Sequence, residues 1–253
     1  MRLSPSSLID GLLAPAPEQG RVERLIPLPY AHRGLHGRGR AENSLGAFEA
    51  AIARGHGIEL DVQASQDGFA MVFHDDELDR LTGETGPVAE RSAEELQRIG
   101  LKGSGETIPT LADVLKLIGG RVPLLVEVKA RSRNAAALCL SVLRALEGYR
   151  GPVGIMSFNP EVSRWLSIHA PRTARGLVVT EAGRRWRGAI ERRLALWRAR
   201  PDFLAYDVRD LPSRFAARAR RRGLPVFTWT CRDPEQVKRA RRHADQIIYE
   251  DPE

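Results

Sequence analysis

The chain is short of lysine, of cysteine and of long apolar runs, and each shortage excludes something. No stretch of eighteen apolar residues occurs among its 253, so no membrane-spanning helix is expected. The two cysteines, Cys139 and Cys231, have no spacing suited to a metal site or a disulfide framework. No glycine-rich first turn is present, which argues against an open dinucleotide-binding sheet. Export also finds little support. The apolar stretch Leu8 to Ala16 is broken by Asp10, Gly11 and Pro15, and Glu18 follows it. Residues 1–28 read as a loosely held N-terminal arm, and a cytoplasmic location is the expectation. Lysine occurs only at Lys102, Lys116, Lys129 and Lys238, so arginine carries nearly all the positive charge behind the formal net charge of +7. The Arg-rich segments Arg184 to Arg200, Arg214 to Arg222 and Lys238 to Arg242 fall where outer helices are expected. They read as solvated helix faces, with attraction to phosphate-bearing substrates or an anionic surface as the alternative. No recognition motif accompanies the charge, so no nucleic-acid partner is expected.

What is present is enough apolar material for a core, with 42% hydrophobic and 28% charged residues. Short strand patterns occur at Tyr30 to Arg33, Gly57 to Gln63, Leu124 to Lys129, Val153 to Ser157, Gly176 to Val179, Phe203 to Val208, Pro225 to Trp229 and Gln246 to Tyr249. Helical patterns separate them, among them Leu45 to Arg54, Leu111 to Ile118, Ala135 to Leu146, Trp186 to Arg198 and Pro234 to His243. Eight strands alternating with helices predict an α/β chain closed into a (β/α)8 TIM barrel over residues 29–253, with an open doubly wound sheet as the alternative. One stretch breaks the rhythm. Phe69 to His74 reads as an extra strand after the turn Asp67-Gly68. Residues 75–109 then hold one short helical pattern near Ser92 to Ile99, too long a span for a simple loop. They read as a small inserted subdomain over the mouth of the barrel.

Alternation along a strand assigns side chains to faces. Glu59 and Asp61 share one face of Gly57 to Gln63, opposite Ile58, Leu60 and Val62. Glu127 and Lys129 share a face opposite Leu124, Val126 and Val128. The apolar faces belong under the helices, which turns the charges toward the barrel interior. Charges there are costly unless paired or metal-bound. Glu59, Asp61 and Glu127 form a plausible set of oxygen ligands for one hard divalent cation, Mg²⁺ or Ca²⁺. A buried salt-bridge cluster balanced by Lys129 is the competing reading. His32 and His74 end their strands near the same rim, and a histidine pair suits general acid and base work at neutral pH. Arg33 offers a planar fork for a phosphate, and Gly34 allows a tight backbone turn beside it.

These residues sit in segments that resemble the glycerophosphodiester phosphodiesterase family: His32-Arg33-Gly34, Glu42-Asn43-Ser44, Glu59-Leu60-Asp61-Val62, Asp67-Gly68, His74-Asp75, Glu127-Val128-Lys129, Ser157-Phe158-Asn159 and Trp229-Thr230, in family order from about residue 30 onward. Two positions depart from the pattern. Ser44 stands where threonine is frequent, and Tyr249-Glu250-Asp251-Pro252 replaces the common Thr-Asp-x-Pro ending. The resemblance implies a TIM barrel with a small insertion and one divalent ion on Glu59, Asp61 and Glu127. His32 and His74 would be the acid–base pair, and Arg33 and Lys129 would hold the phosphate. Glu42 and Asn43 would support these groups from behind, and Phe158 and Trp229 would line the pocket wall unless they are ordinary barrel core. Ser157 and Asn159 stand equally open. The implied activity is hydrolysis of a small glycerophosphodiester to glycerol 3-phosphate and an alcohol, through a cyclic phosphate. A lysophospholipase D-type or cyclising relative, and a non-catalytic anion-binding barrel, are the alternatives.

Overall fold

The structure, a computed structural model, describes residues 14–37, 39–130, 135–181 and 186–251. Nine strands and eight α-helices alternate along the described residues. They are β1 (Tyr30–His32), α1 (Leu45–Ala53), β2 (Gly57–Ala64), β3 (Ala70–Val72), α2 (Ala93–Leu96), α3 (Leu111–Ile118), β4 (Leu124–Val128), α4 (Ala135–Ala145), β5 (Val153–Ser157), α5 (Pro160–His169), β6 (Ala174–Val179), α6 (Trp186–Ala199), β7 (Phe203–Asp207), α7 (Arg214–Arg221), β8 (Val226–Cys231), α8 (Pro234–His243) and β9 (Gln246–Tyr249). The strands are hydrogen-bonded in the order β1-β9-β8-β7-β6-β5-β4-β2-β3, and β1 also pairs with β2. Apart from the outer strand β3, the ladder therefore returns to its start, which is the (β/α)8 barrel that the alternation predicts. None of the described helices is long and apolar enough to cross a membrane.

Two compact units make up the chain: Tyr30–Val153 with Glu250–Glu253, and Met1–Pro29 with Gly154–Tyr249. In the first, β2 pairs in parallel with β1 and β4 and antiparallel with β3. The extra strand is thus the return arm of a hairpin, turning at Asp67-Gly68 with Gly68 at φ 83°. Beyond it, Leu78, Val88, Leu96, Leu101 and Ile108 bury themselves around Met71 and Phe73. The 75–109 stretch therefore shares a small apolar core with Ala41, Met71 and Phe73.

The second unit carries β5 to β9 in parallel register. Its core includes Leu177, Leu204, Tyr206, Phe215 and Val226. Of the arm expected over 1–28, residues 1–13 lie outside the described residues. The remainder packs into this unit through buried Ala14, Val22 and Leu25, and Arg21 Nη1 donates to Asp202 Oδ1 at 3.0 Å. Arg184 and Arg185 of the basic run also lie outside the described residues.

Local chemistry fixes the elements next to the motifs singled out in the sequence. Ser44 caps α1, its Oγ accepting from the Ala47 amide at 3.3 Å. Thr110 and Asp113 form a reciprocal capping box on α3, which ends at left-handed Gly119. Asn159 caps α5 in the same way, accepting from the Glu161 amide at 3.0 Å. That bond, with the Asn159 amide donating to Ser157 Oγ at 3.1 Å, gives both polar residues of the Ser157-Phe158-Asn159 segment a structural task.

Candidate active site

Three parallel strands of the first unit bring the chemistry together. In register, His32 on β1 lies opposite Glu59 on β2, and Asp61 lies opposite Glu127 on β4. Adjacent strands are about 4.8 Å apart, so carboxylates at matched positions on one face must meet. They do: Glu59, Asp61 and Glu127 are all buried, and each offers a ligand oxygen within 4.8 Å of the others.

The backbone leaving β1 is shaped for the same spot. Arg33 and Gly34 both adopt left-handed conformations, φ 57° and 80°. A side chain at Gly34 would put its Cβ 2.8 Å from Ala47 of α1, so only glycine fits. The turn aims the Arg33 amide at Glu59 Oε2, 3.2 Å away, and brings its guanidinium to Glu42 Oε1 (2.7 Å) and Asp61 Oδ2 (3.1 Å). Asn43, also left-handed at φ 58°, donates to Asp61 Oδ2 at 3.0 Å. Lys129 Nζ sits between Glu127 Oε1 (2.6 Å) and Asp61 Oδ1 (2.9 Å).

Both histidines have their Nδ1 engaged. His32 Nδ1 is 2.7 Å from Glu250 Oε1, which leaves Nε2 facing Glu59 Oε2 at 3.9 Å. His74 Nδ1 is 2.6 Å from Asp75 Oδ1. Arg80 joins the two supporting acids, donating to Glu42 (2.7 and 3.0 Å) and to Asp75 (2.6 and 3.1 Å). Gln63 Nε2 pins the following backbone through the His74 carbonyl at 3.1 Å.

The electrostatics distinguish the ion reading from the lysine-bridge reading. Burial, reinforced by the charges of Asp61 and Glu127, pushes the Glu59 carboxyl well above the ordinary range. Burial raises Glu127 too, against the pull of Lys129. Burial would also raise Asp61, but Lys129 and then Arg33 hold it below. Lys129 is raised in turn: burial opposes its charge, and Asp61 and Glu127 outweigh burial. Lys129 and Arg33 thus supply two positive charges against three buried carboxylates, and Arg33 is shared with Glu42. The bridge is real, yet it cannot balance all three groups as carboxylates. Asp61 Oδ1 moreover makes no well-directed hydrogen bond despite its closeness to Lys129. An all-oxygen donor set with surplus negative charge fits one hard divalent cation. Burial lowers both histidines, against Glu250 at His32 and against Asp61 at His74, which favours neutral imidazoles at pH 7.

Nine of the residues singled out in the sequence therefore come together in one unit: His32, Arg33, Glu42, Asn43, Glu59, Asp61, His74, Glu127 and Lys129. Phe158 and Trp229 belong to the other unit. There they pack edge to face, centroids 5.6 Å apart, and Trp229 Nε1 donates to the Ala205 carbonyl at 2.9 Å. Sequence reasoning passed over Glu250, Asp75 and Arg80 as functional groups. Asp75 and Glu250 lay inside quoted segments without a role, whereas Arg80 had no signal at all.

Similarity to known proteins agrees with this geometry. The model of the glycerophosphoryl diester phosphodiesterase family matches residues 32–253. A glycerophosphodiester phosphodiesterase of Caldanaerobacter subterraneus subsp. tengcongensis is 31% identical over 239 residues, covering 89% of this chain and 95% of the relative. Among solved structures, an Oleispira antarctica phosphodiesterase in complex with the product sn-glycerol-3-phosphate superimposes with a TM-score of 0.77 at 24% identity, covering 89% of this chain and 93% of the other. The Thermotoga maritima glycerophosphodiester phosphodiesterase gives 0.70 at 26% identity, covering 88% and 94%. With the acidic cluster, the histidine pair and the strand order all within the matched span, the chain belongs to the glycerophosphoryl diester phosphodiesterase family, a family of phosphoric diester hydrolases.

Proposed function

We propose that the chain hydrolyses small glycerophosphodiesters to glycerol 3-phosphate and an alcohol, using one divalent cation, Mg²⁺ or Ca²⁺. The carrying observation is the convergence of Glu59, Asp61 and Glu127 beside two histidines whose Nδ1 atoms are both tied to carboxylates. Glu59, Asp61 and Glu127 would hold the cation, which when bound supplies a Lewis acid for a phosphate oxygen and for the glycerol 2-hydroxyl. With Nδ1 engaged, each imidazole presents Nε2 to the substrate. One Nε2 takes the proton of the 2-hydroxyl as its oxygen attacks phosphorus, and the other gives a proton to the leaving alcohol oxygen as that P–O bond breaks. Water then opens the cyclic phosphate with the histidine roles exchanged. Arg33 grips the equatorial oxygens through its fork. Lys129 adds a point charge. Glu42 and Asn43 hold Arg33 and Asp61 in place. The product named for the Oleispira antarctica structure, sn-glycerol-3-phosphate, is the one this scheme releases.

One further role belongs to the proposal. The 75–109 stretch acts as an inserted subdomain that selects the alcohol group.

A panel of glycerophosphodiesters assayed with Mg²⁺ and with Ca²⁺ for glycerol 3-phosphate release tests the reading. Phosphorus NMR separates a linear from a cyclic product. His32→Ala and His74→Ala should each lose on the order of 10²–10⁴-fold in rate in a folded protein. Near-normal turnover in either variant would remove that histidine from the chemistry. Activity surviving exhaustive chelation would remove the ion.

A further inference from the structure

Helix α6 is built with two apolar faces, and the fold uses one of them. At 100° per residue, buried Gly188, Leu196 and Ala199 fall on one side. Ile190, Leu194 and Trp197 fall on the opposite side, at the i, i+4, i+7 spacing that makes a continuous stripe. They are 49%, 58% and 51% exposed. Isolated exposed apolar residues are ordinary, but three in line on the solvent face of one helix are a patch that the fold does not need. Ile168, 65% exposed, adds to the apolar outer surface of the neighbouring helix α5, one turn after exposed Arg164.

The flanks of the stripe carry more arginine than acid. Half-buried Arg193 lies along one edge, exposed Arg200 follows just past the helix end, and exposed Glu191 lies along the opposite edge. Arg198 lies along that opposite edge too, where it shares its charge with Glu161 of α5 through a bond of 3.0 Å from Nη2. The surrounding sequence has the same sign. Residues 154–249 hold 21 arginines and lysines against 9 aspartates and glutamates, so the rest of the chain is net acidic although the whole is +7. A tryptophan, leucine and isoleucine stripe edged by arginine is the pattern of a helix that lies flat in a bilayer interface, with apolar side chains among the acyl chains and guanidinium groups at the phosphates. A second copy of the chain is the weaker occupant. A two-fold contact would press the arginine edges of both copies together.

We infer that the outer face of α6 docks this protein on anionic phospholipid surfaces, through Ile190, Leu194 and Trp197 for insertion and the flanking arginines for charge. The site is separate from the phosphodiester chemistry and does not rest on it.

Co-sedimentation with phosphatidylcholine vesicles, with and without phosphatidylglycerol, tests the inference on the full chain. The wild type should pellet with the phosphatidylglycerol vesicles, release with added salt, and bind pure phosphatidylcholine weakly. The triple variant Ile190→Ser, Leu194→Ser, Trp197→Ser removes side chains that face solvent, so it should fold. It should lose at least about tenfold in vesicle affinity and still cleave a soluble glycerophosphodiester at the wild-type rate. Arg200→Gln should weaken binding about fivefold and reduce its salt dependence. Three results would overturn the inference: no binding to phosphatidylglycerol vesicles, equal binding by the triple variant, or a wild-type dimer in sedimentation that the triple variant dissociates. The last would give the face to a second copy.

Discussion

Glu250→Gln isolates what the bond to His32 contributes. Glu250 Oε1 lies 2.7 Å from Nδ1, which keeps the proton on that nitrogen and leaves Nε2 as the reactive atom. The substitution keeps shape and an acceptor oxygen but removes the charge. A hydrogen bond to a charged group contributes about 1.5–3 kcal/mol. A neutral bond contributes about 0.5–1.5 kcal/mol, so the exchange forfeits about 1–1.5 kcal/mol, and at about 1.4 kcal/mol per tenfold it predicts a fall of about five- to about twelvefold in kcat/KM. The fall should be smaller than for His32→Ala, because the imidazole remains. The pH profile should shift with it. Burial lowers the His32 pKa, and both the hydrogen bond and the charge of Glu250 raise it. Removing Glu250 lets it drop further, so the neutral imidazole persists to lower pH and the acid limb of kcat/KM moves acidward. Measuring kcat/KM from acidic to mildly basic pH, with circular dichroism to confirm folding, checks both. A folded variant with an unchanged plateau and an unmoved acid limb would refute the idea that Glu250 positions His32.

Glu59→Gln should abolish cation binding in calorimetry, yet raise the melting temperature of the cation-free protein. Glu59 has a raised pKa in the fold, so its ionised form opposes folding at pH 7, and an amide removes that penalty. An unchanged or lower melting temperature would contradict the surplus of negative charge. Gly34→Ala should destabilise the protein by about 1–3 kcal/mol in denaturant titration, since the new Cβ meets Ala47 at 2.8 Å on a backbone at φ 80°. Glu181→Gln offers a pH test away from the site. Burial opposes the Glu181 carboxylate, but Tyr206, Ser213 and Arg192 outweigh it and lower its pKa. Its contribution is therefore present above the ordinary carboxylate range and lost as pH falls through the lowered value. The variant should be less stable than wild type by about 1–2 kcal/mol at pH 7, and the gap should close toward pH 3.

The strand-borne part of the site was legible because it obeys local rules. Period-two alternation alone puts Glu59 with Asp61 and Glu127 with Lys129, and parallel register then makes neighbours of Asp61 and Glu127. Glu250 was not legible as a partner of His32, because 218 positions separate them and only tertiary folding joins them. Arg80 was invisible for a related reason. It sits in the 75–109 stretch, where no periodicity assigns a direction to a side chain. The apolar stripe of α6 was not legible in its basic run, because it separates from the buried residues only when the helix's inner and outer sides are known. The extra strand came out shorter than its pattern, Ala70–Val72 instead of Phe69 to His74, because the hairpin needs only three ladder positions before the chain bends to present His74.

Arg80 fastens one acid that steadies Arg33 and another that steadies His74. A single peg on the 75–109 stretch thus steadies both Arg33 and His74. Damage to it will look like two lesions in one, so the losses from Arg33 and His74 substitutions will not simply add when Arg80 is already gone.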